Sequence, residues 1–366
     1  MSRGWSSFLL SFDDQQLAAL EIHGHDAEWP GGAPPSLLEL ARHAREVCAI
    51  PSLAGARDGA APRPARRLET PRKAAQIDAF ARLILPLATR ARRVVDVGSG
   101  HGHLTREIAE RIALPVVGLE RDVSLAGRAR TLSKAASPSF AVTDVLRDGL
   151  SLAGGDCVIG LHACGDLGDA MVESVARRDA SIALVGCCLQ KRGAISRRPL
   201  CVAPPELGEA LDLPRVLLGL SNLTARDDGV EATRAENLAG RERRLALHRL
   251  LSEGDDTLRF GSEIDGLNRR AAQRDLASLV ARAFALRGRP LPSAAAIEDA
   301  SVWARAEHAR SRRLSLPRAM LARVLEVMVL LDRARYLEEH GFSVTVGALF
   351  PATVSARNLA LVAERS

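Results

Sequence analysis

Between Val94 and Leu104 the chain reads V-V-D-V-G-S-G-H-G-H-L, and no other stretch restricts its fold as much. A short β-branched run stops at Gly98, glycine returns at 100 and 102, and a helical pattern follows with Leu104, Ile108 and Ile112 on one face. Glycine tolerates a positive φ and lets the backbone approach a ligand closely. The first turn of the helix then offers N–H groups that have no partner within the helix. Strand, glycine turn and helix, in that order, form the unit of a doubly wound sheet, whose ligand crevice lies beyond the carboxyl ends of the strands.

The pattern repeats. PVVGLE (115–120), SFAVT (139–143), DCVIGL (156–161) and SIALVGCC (181–188) are strand-length apolar runs, most of them separated by helix formers such as AGRARTLSKAA (126–136) and GDAMVESVARR (168–178). Near-continuous apolar strands alternating with helices predict a parallel sheet covered on both faces. Upstream, Ser36 to Glu39 has capping-box form after Pro34-Pro35 and opens a helix carrying Leu37, Leu40, Ala41, Ala44 and Val47. The Pro/Gly/Arg/Ala stretch 55–68 reads as a linker, and Thr70-Pro71 as the cap and first residue of the next helix, running towards Pro86.

After residue 189 the strand pattern ceases. Long helical segments occupy 230–251 and 267–288, and a helix over 318–340 stops at Gly341. Two strands, 342–350 and 356–364, follow with a tight link through Pro351 that pairs them antiparallel. The expectation is an α/β fold in four segments. Residues 1–68 form a helical extension and linker, 69–188 the ligand-binding core, 189–316 a helical insertion, and 317–366 a helix and two strands completing the core sheet.

Composition narrows the function classes. Hydrophobic residues make up 47% of the 366, enough for a sizeable core, whereas aromatics at 3% are too few for a base-stacking surface. The net charge of +6 is carried almost wholly by arginine, for the lysines are only Lys73, Lys134 and Lys191. Basic clusters at Arg66-Arg67 with Arg72-Lys73, Arg90 with Arg92-Arg93, Lys191-Arg192 with Arg197-Arg198, and Arg241 with Arg243-Arg244 are candidate phosphate contacts. None of the six cysteines forms a C-x-x-C pair, which points to reduced thiols and a cytoplasmic setting. Met1 to Gln16 lacks the form of a secretory signal, and the most apolar helical stretch, near 321–331, is broken by Arg323 and Glu326, so no membrane association is expected.

The glycine turn discriminates between cofactors. A dinucleotide fingerprint G-x-G-x-x-G counted from Gly98 and Gly100 needs its last glycine at 103, where His103 stands. The pattern present is D-x-G-x-G-x-G, which suits a ligand without pyrophosphate but with a sulfonium and an amino-acid tail: S-adenosyl-L-methionine. Asp96 serves the ammonium side, and Gly98, Ser99, Gly100 and Gly102 form the turn. Glu120 closes the second run, where a carboxylate accepts both ribose hydroxyls, with Arg121 beside it. Asp144, next to Val145, follows the third run within reach of the adenine amino group.

The fourth and fifth runs end in Leu161-His162-Ala163-Cys164-Gly165-Asp166 and Val185-Gly186-Cys187-Cys188-Leu189. His162 is the first candidate for an acid/base or hydrogen-bonding role beside the transferred methyl. Asp166 is the second, with helix capping as its structural alternative. His162, Cys164, Cys187 and Cys188 can converge. But H-x-C and adjacent cysteines are not standard ligand spacings, so pocket wall rather than metal is the expectation.

DVGSGHGHL, HACGDL, the GCC after the fifth run and the closing SARNLALVAE resemble the methyltransferase-like 25 and ribosomal RNA adenine dimethylase domain-containing family. A more distant similarity is to the CHHC-finger tRNA ribose methyltransferases. The resemblance covers residues 70–188 and 318–364 well, the insertion loosely and the first 68 poorly. It implies a Rossmann-like methyltransferase with Asp96, Gly98, Gly100, Gly102 and Glu120 at the cofactor. Leu189 stands where the family often has an aromatic residue, and the zinc fingers of the tRNA enzymes are missing, so their target does not transfer. The expected activity is methyl transfer to a macromolecule, RNA slightly ahead of protein. The alternatives are a small-molecule methyltransferase or a scaffold that binds the cofactor without turnover.

Overall fold

A computed structural model describes residues 4–53, 64–66, 68–133, 138–202, 211–223, 233–254, 257–267 and 275–365. Outside these lie most of the expected linker, residues 134–136 of one expected helix, and 230–232 and 268–274 of two others. The chain divides into two compact units, residues 1–39 with 226–317, and residues 40–225 with 318–366. The expected extension 1–68 and insertion 189–316 are therefore each shared between them.

The larger unit is built on one sheet. Its strands are β1 (Arg93–Val97), β2 (Val116–Glu120), β3 (Ser139–Val142), β4 (Asp156–Cys164), β5 (Ser181–Cys187), β8 (Phe342–Ala348) and β9 (Leu359–Arg365). The two-residue β6 (Ser196–Arg197) and β7 (Leu213–Pro214) form a separate antiparallel ladder in a region where no strand was expected. The main sheet runs β3-β2-β1-β4-β5-β9-β8. All neighbours from β3 to β5 are parallel, whereas β9 lies antiparallel to both β5 and β8. The α/β sheet with its C-terminal antiparallel pair is the architecture expected from the sequence.

Alternation along the strands divides the core in two. Val95, Val158, Ile182 and Leu184 point to one face, where they meet Met171, Val172, Val327 and Leu337. Val94, Ile159, Ala183 and Val185 point to the other, against Ile77, Phe80, Ile84 and Ile108. Each of these side chains is at least nine-tenths buried, and burying an aliphatic residue of this size contributes about 1.5–3 kcal/mol. The helix Pro71–Ala88 covers the second face and is capped as its sequence predicts, Thr70 Oγ1 accepting from Lys73 N at 3.2 Å. It passes through Pro86 rather than stopping there.

In the smaller unit, Leu247, Leu250, Leu279, Val280, Phe284 and Ala300 pack three helices together. Glu21 accepts from both Arg234 and Arg312, and Arg313 reaches Asp14 and the carbonyl of Phe12. The N-terminal segment is thus tied to the helices that follow residue 226. The helix expected over 318–340 begins earlier, spanning Ala294–Glu339 with Pro317 inside it. Proline removes one backbone donor without ending the helix when the neighbouring turns are held by side-chain packing. Gly341, at φ +83, follows its end as expected.

Candidate active site

The glycine turn lies where β1 ends. Gly98, Gly100 and Gly102 have φ of +72, +55 and +69. L-residues pay roughly 1–2 kcal/mol in this region, which explains the alternating glycines. Gly102 has a second constraint, since a Cβ there would come within 2.5 Å of the Phe140 ring. At Gly100 a Cβ would meet nothing within 4 Å, so the turn is open on that side.

Glu120 faces this turn. One carboxylate oxygen accepts from Gly100 N at 2.9 Å and the other from Asp122 N at 3.0 Å. Two backbone donors fix the carboxylate while each oxygen keeps a lone pair for a vicinal diol. Asp96 is 2% exposed and accepts from Thr105 Oγ1 at 2.6 Å. Burial raises its carboxyl to about 6, against the pull of that hydrogen bond and of the Lys73 charge. Ser99 Oγ is buried and without a protein partner. An orphaned hydroxyl, an open turn and a pinned strand-end carboxylate fit the donor set that S-adenosylmethionine requires.

The remaining expected cofactor residues sit at the margin. Asp144 is half-buried, accepts from Leu146 N at 3.2 Å and caps the short helix Val145–Asp148, so its structural role is plain. Val145 is buried in the core and Arg121 is exposed.

β4 does not stop at Leu161, where the sequence pattern ends. It continues to Cys164 across a register shift against β5 between Leu161 and Ala163. The bulged residue is His162, at φ +71. Its Nε2 lies 3.0 Å from Gln76 Oε1, and burial, with the charges of Lys73 and Arg72, lowers it to about 4. His162 is therefore a neutral imidazole across the physiological range. Bulges commonly re-aim a side chain beside a functional site.

Asp166 does not cap the following helix: Gly165 is the N-cap, and Asp166 is the first helical residue. Its carboxylate is engaged by Arg192 Nη2 at 2.5 Å and Gly193 N at 2.8 Å. Beside it Asp169 receives Arg192, Arg197 and Arg333. Burial opposes the Asp169 charge, but Arg333 and Arg197 hold its carboxyl well below the ordinary range. The sulfurs of Cys164, Cys187 and Cys188 lie within 4.8 Å of one another. Hydrogen bonding from Cys164 and Cys187 draws the Cys188 thiol down, helped by Lys191 and Arg357, whereas hydrogen bonding with Cys164 and Cys188, and burial, push Cys187 up.

Sequence reasoning missed Gln76 and Thr105 and misread Lys73. The helix Pro71–Ala88 buries Gln76 and Asp78 among mostly apolar residues, and polar residues inside an apolar helical pattern are the signal that could have found Gln76. Lys73, expected in a surface cluster, acts on both Asp96 and His162. Part of each arginine cluster is engaged within the chain. Arg66 pairs with Glu107 and Glu110, Arg90 with Glu364, Arg93 with Asp156, Arg197 with Asp169 and Asp332, and Arg244 with Glu263. Together with Arg192 they satisfy carboxylates of the same chain. Among the described residues no helix is long and apolar enough to cross a membrane.

Residues 72–192 match a family model described as a methyltransferase domain, and this region is a methyltransferase domain of the S-adenosylmethionine-dependent kind. Among solved structures the chain is similar to a TehB-like SAM-dependent methyltransferase from Corynebacterium glutamicum. Identity is 21% over 29% of this chain and 61% of that one, with a TM-score of 0.24. It is also similar to an amino pentose methyltransferase of calicheamicin biosynthesis from Micromonospora echinaspora, solved with SAM bound. There identity is 21% over 31% of this chain and 50% of that one, with a TM-score of 0.26. A third is the sugar N-methyltransferase KedS8 from a Streptoalloteichus species, at 19% over 31% and 48%, with a TM-score of 0.25. The chain spans about three fifths of the first of these and half or less of the other two.

Proposed function

We propose that this chain transfers the methyl group of S-adenosylmethionine to a neutral nitrogen or hydroxyl acceptor held at the ends of β4 and β5. The observation that carries the reading is the pinned Glu120 carboxylate facing the glycine turn. In this reading Glu120 receives the ribose hydroxyls, Asp96 the ammonium side, Ser99 Oγ a polar atom of the amino-acid tail, and Asp144 the adenine amino group. Residues 69–188 and 317–366 supply the catalytic core, flanked by 1–68 and 189–316.

The bound cofactor supplies an electrophilic methyl on sulfonium, and the chain aligns the acceptor with it. Positioning of this kind contributes on the order of 7–11 kcal/mol when the reacting atoms are well oriented. A neutral acceptor gives up a proton in the process. His162, unprotonated at neutral pH and held by Gln76, takes it. Asp166 is already committed to Arg192 and the Gly193 amide, so its part is to hold the segment after β5 in place.

The resemblance to the methyltransferase-like 25 and ribosomal RNA adenine dimethylase domain-containing family supports a macromolecular acceptor. RNA keeps its slight lead over protein on the basic clusters, although Arg66, Arg90, Arg93, Arg192, Arg197 and Arg244 also pair with carboxylates of the same chain. The test is incubation with labelled methyl donor and separated RNA, protein and small-molecule fractions of a cell extract. Label entering one fraction with wild type but not with His162→Asn is expected. A chain that binds no S-adenosylmethionine at high micromolar concentration in calorimetry overturns the reading.

A further inference from the structure

The ends of β4 and β5 carry a feature that methyl transfer does not use. Cys164 and Cys187 are register partners on parallel strands, and their sulfurs approach to 2.9 Å. Both also lie against the His162 carbonyl, at 3.4 and 3.1 Å. Cys188 follows directly, and neighbours in an extended strand point to opposite faces. Here they do not, because β5 ends at Cys187 and Cys188 adopts φ +39, which breaks the alternation and brings its sulfur within 4.8 Å of the other two. A left-handed conformation at a non-glycine residue carries a cost and marks a position held by its surroundings.

We propose that Cys164, Cys187 and Cys188 form a three-thiolate site for a thiophilic divalent cation, zinc by its ligand preference. Zinc–sulfur bonds of about 2.3 Å in tetrahedral geometry place sulfurs about 3.8 Å apart, so the triangle closes on a metal through shifts of about 1 Å or less. Cys164 and Cys188 are half-buried, which leaves an entry path. Cys187 and Cys188 also line a cavity of ≈ 30 Å³. One water needs about 10–15 Å³, so the cavity has room for a fourth ligand. His162 does not supply that ligand while its Nε2 faces Gln76. The adjacent-cysteine spacing that argued against a metal in the sequence is thus accommodated by a single backbone angle. The site stands whether or not the chain transfers methyl groups.

The test uses the full chain, tag removed, kept in a phosphine reductant and reconstituted with zinc chloride before gel filtration. Elemental analysis is expected to find about one zinc per chain. Cys164→Ser and Cys188→Ser are each expected to weaken zinc binding at least about tenfold, while Cys201→Ser leaves it unchanged. Substitutions in β5 endanger folding, so cobalt reconstitution of the unmodified chain gives a second reading. Thiolate-to-cobalt charge transfer and intense tetrahedral visible bands are expected. Zinc-free protein after reconstitution, a Cys164–Cys187 disulfide persisting in reductant, or zinc retained by both serine variants overturns the proposal. Calorimetry with S-adenosylmethionine on the same metal-free sample reports separately on the donor site.

Discussion

The two ends of the sheet crevice solve different problems. At β1 and β2 the backbone supplies the geometry: three glycines turn the chain and two amides pin Glu120. At β4 and β5 side chains do so, through a bulged histidine, clustered thiols and arginines converging on Asp169. The first end is preorganised for a ligand that never varies. The second is built from long-range contacts, which can change with the acceptor while the donor end stays the same.

If this division holds, substitutions at the two ends separate into effects on turnover and effects on cofactor affinity. The largest effect falls on His162→Asn, which tolerates the positive φ but takes no proton at neutral pH. Turnover should drop roughly 10²–10⁴-fold with cofactor affinity nearly unchanged, read by rapid-quench kinetics and calorimetry. A parallel loss of affinity would erase the distinction between the ends. Next is Glu120→Ala, which removes a charged acceptor for two hydroxyls. S-adenosylmethionine affinity should fall by about 3 kcal/mol, or roughly 100-fold, in calorimetry.

Asp96 sharpens the comparison through pH. Its folded-state carboxyl titrates at about 6 against an ordinary 3.8. A raised carboxyl stabilises the fold below its ordinary value, and that contribution is lost as pH rises through about 6. Asp96→Asn should therefore stabilise the ligand-free chain above neutral pH by up to about 3 kcal/mol, seen in urea unfolding. The same substitution should cost about tenfold in cofactor affinity and abolish the loss of affinity expected for wild type below about pH 6. His162 has the opposite sign. Lowered to about 4, it destabilises the fold as pH falls through its ordinary 6.5. The smallest effect is expected at Asp144, where alanine removes a helix cap worth about 1 kcal/mol in thermal unfolding. Asparagine there should keep the cap and reveal any adenine contact as a few-fold change in affinity.

The same division governs what could be read from the sequence. The glycine turn and Glu120 were legible because their chemistry is local: a turn residue must suit its own φ, and an acid at a strand end has few other uses. The parallel strands and the closing antiparallel pair followed from apolar runs and their spacing, whereas the order of the strands in the sheet did not. His162 could be nominated but not its bulge, because the register shift depends on how β4 meets β5. The internal partners of the clustered arginines were hidden for a related reason. Arg197 finds Asp332 and Arg93 finds Asp156 only after folding, and sequence neighbours say nothing about such partners.

The position of β9 has a consequence for how the molecule is made. Of the sheet strands it is translated last, yet it is inserted between β5 and β8 and joins them. Until it leaves the ribosome, β5 presents an open edge and β8 has no place to attach, so the nascent sheet must wait with backbone N–H and C=O groups unpaired. A late frameshift, harmless in many proteins, would here remove the keystone and leave two sticky edges for chaperones to guard.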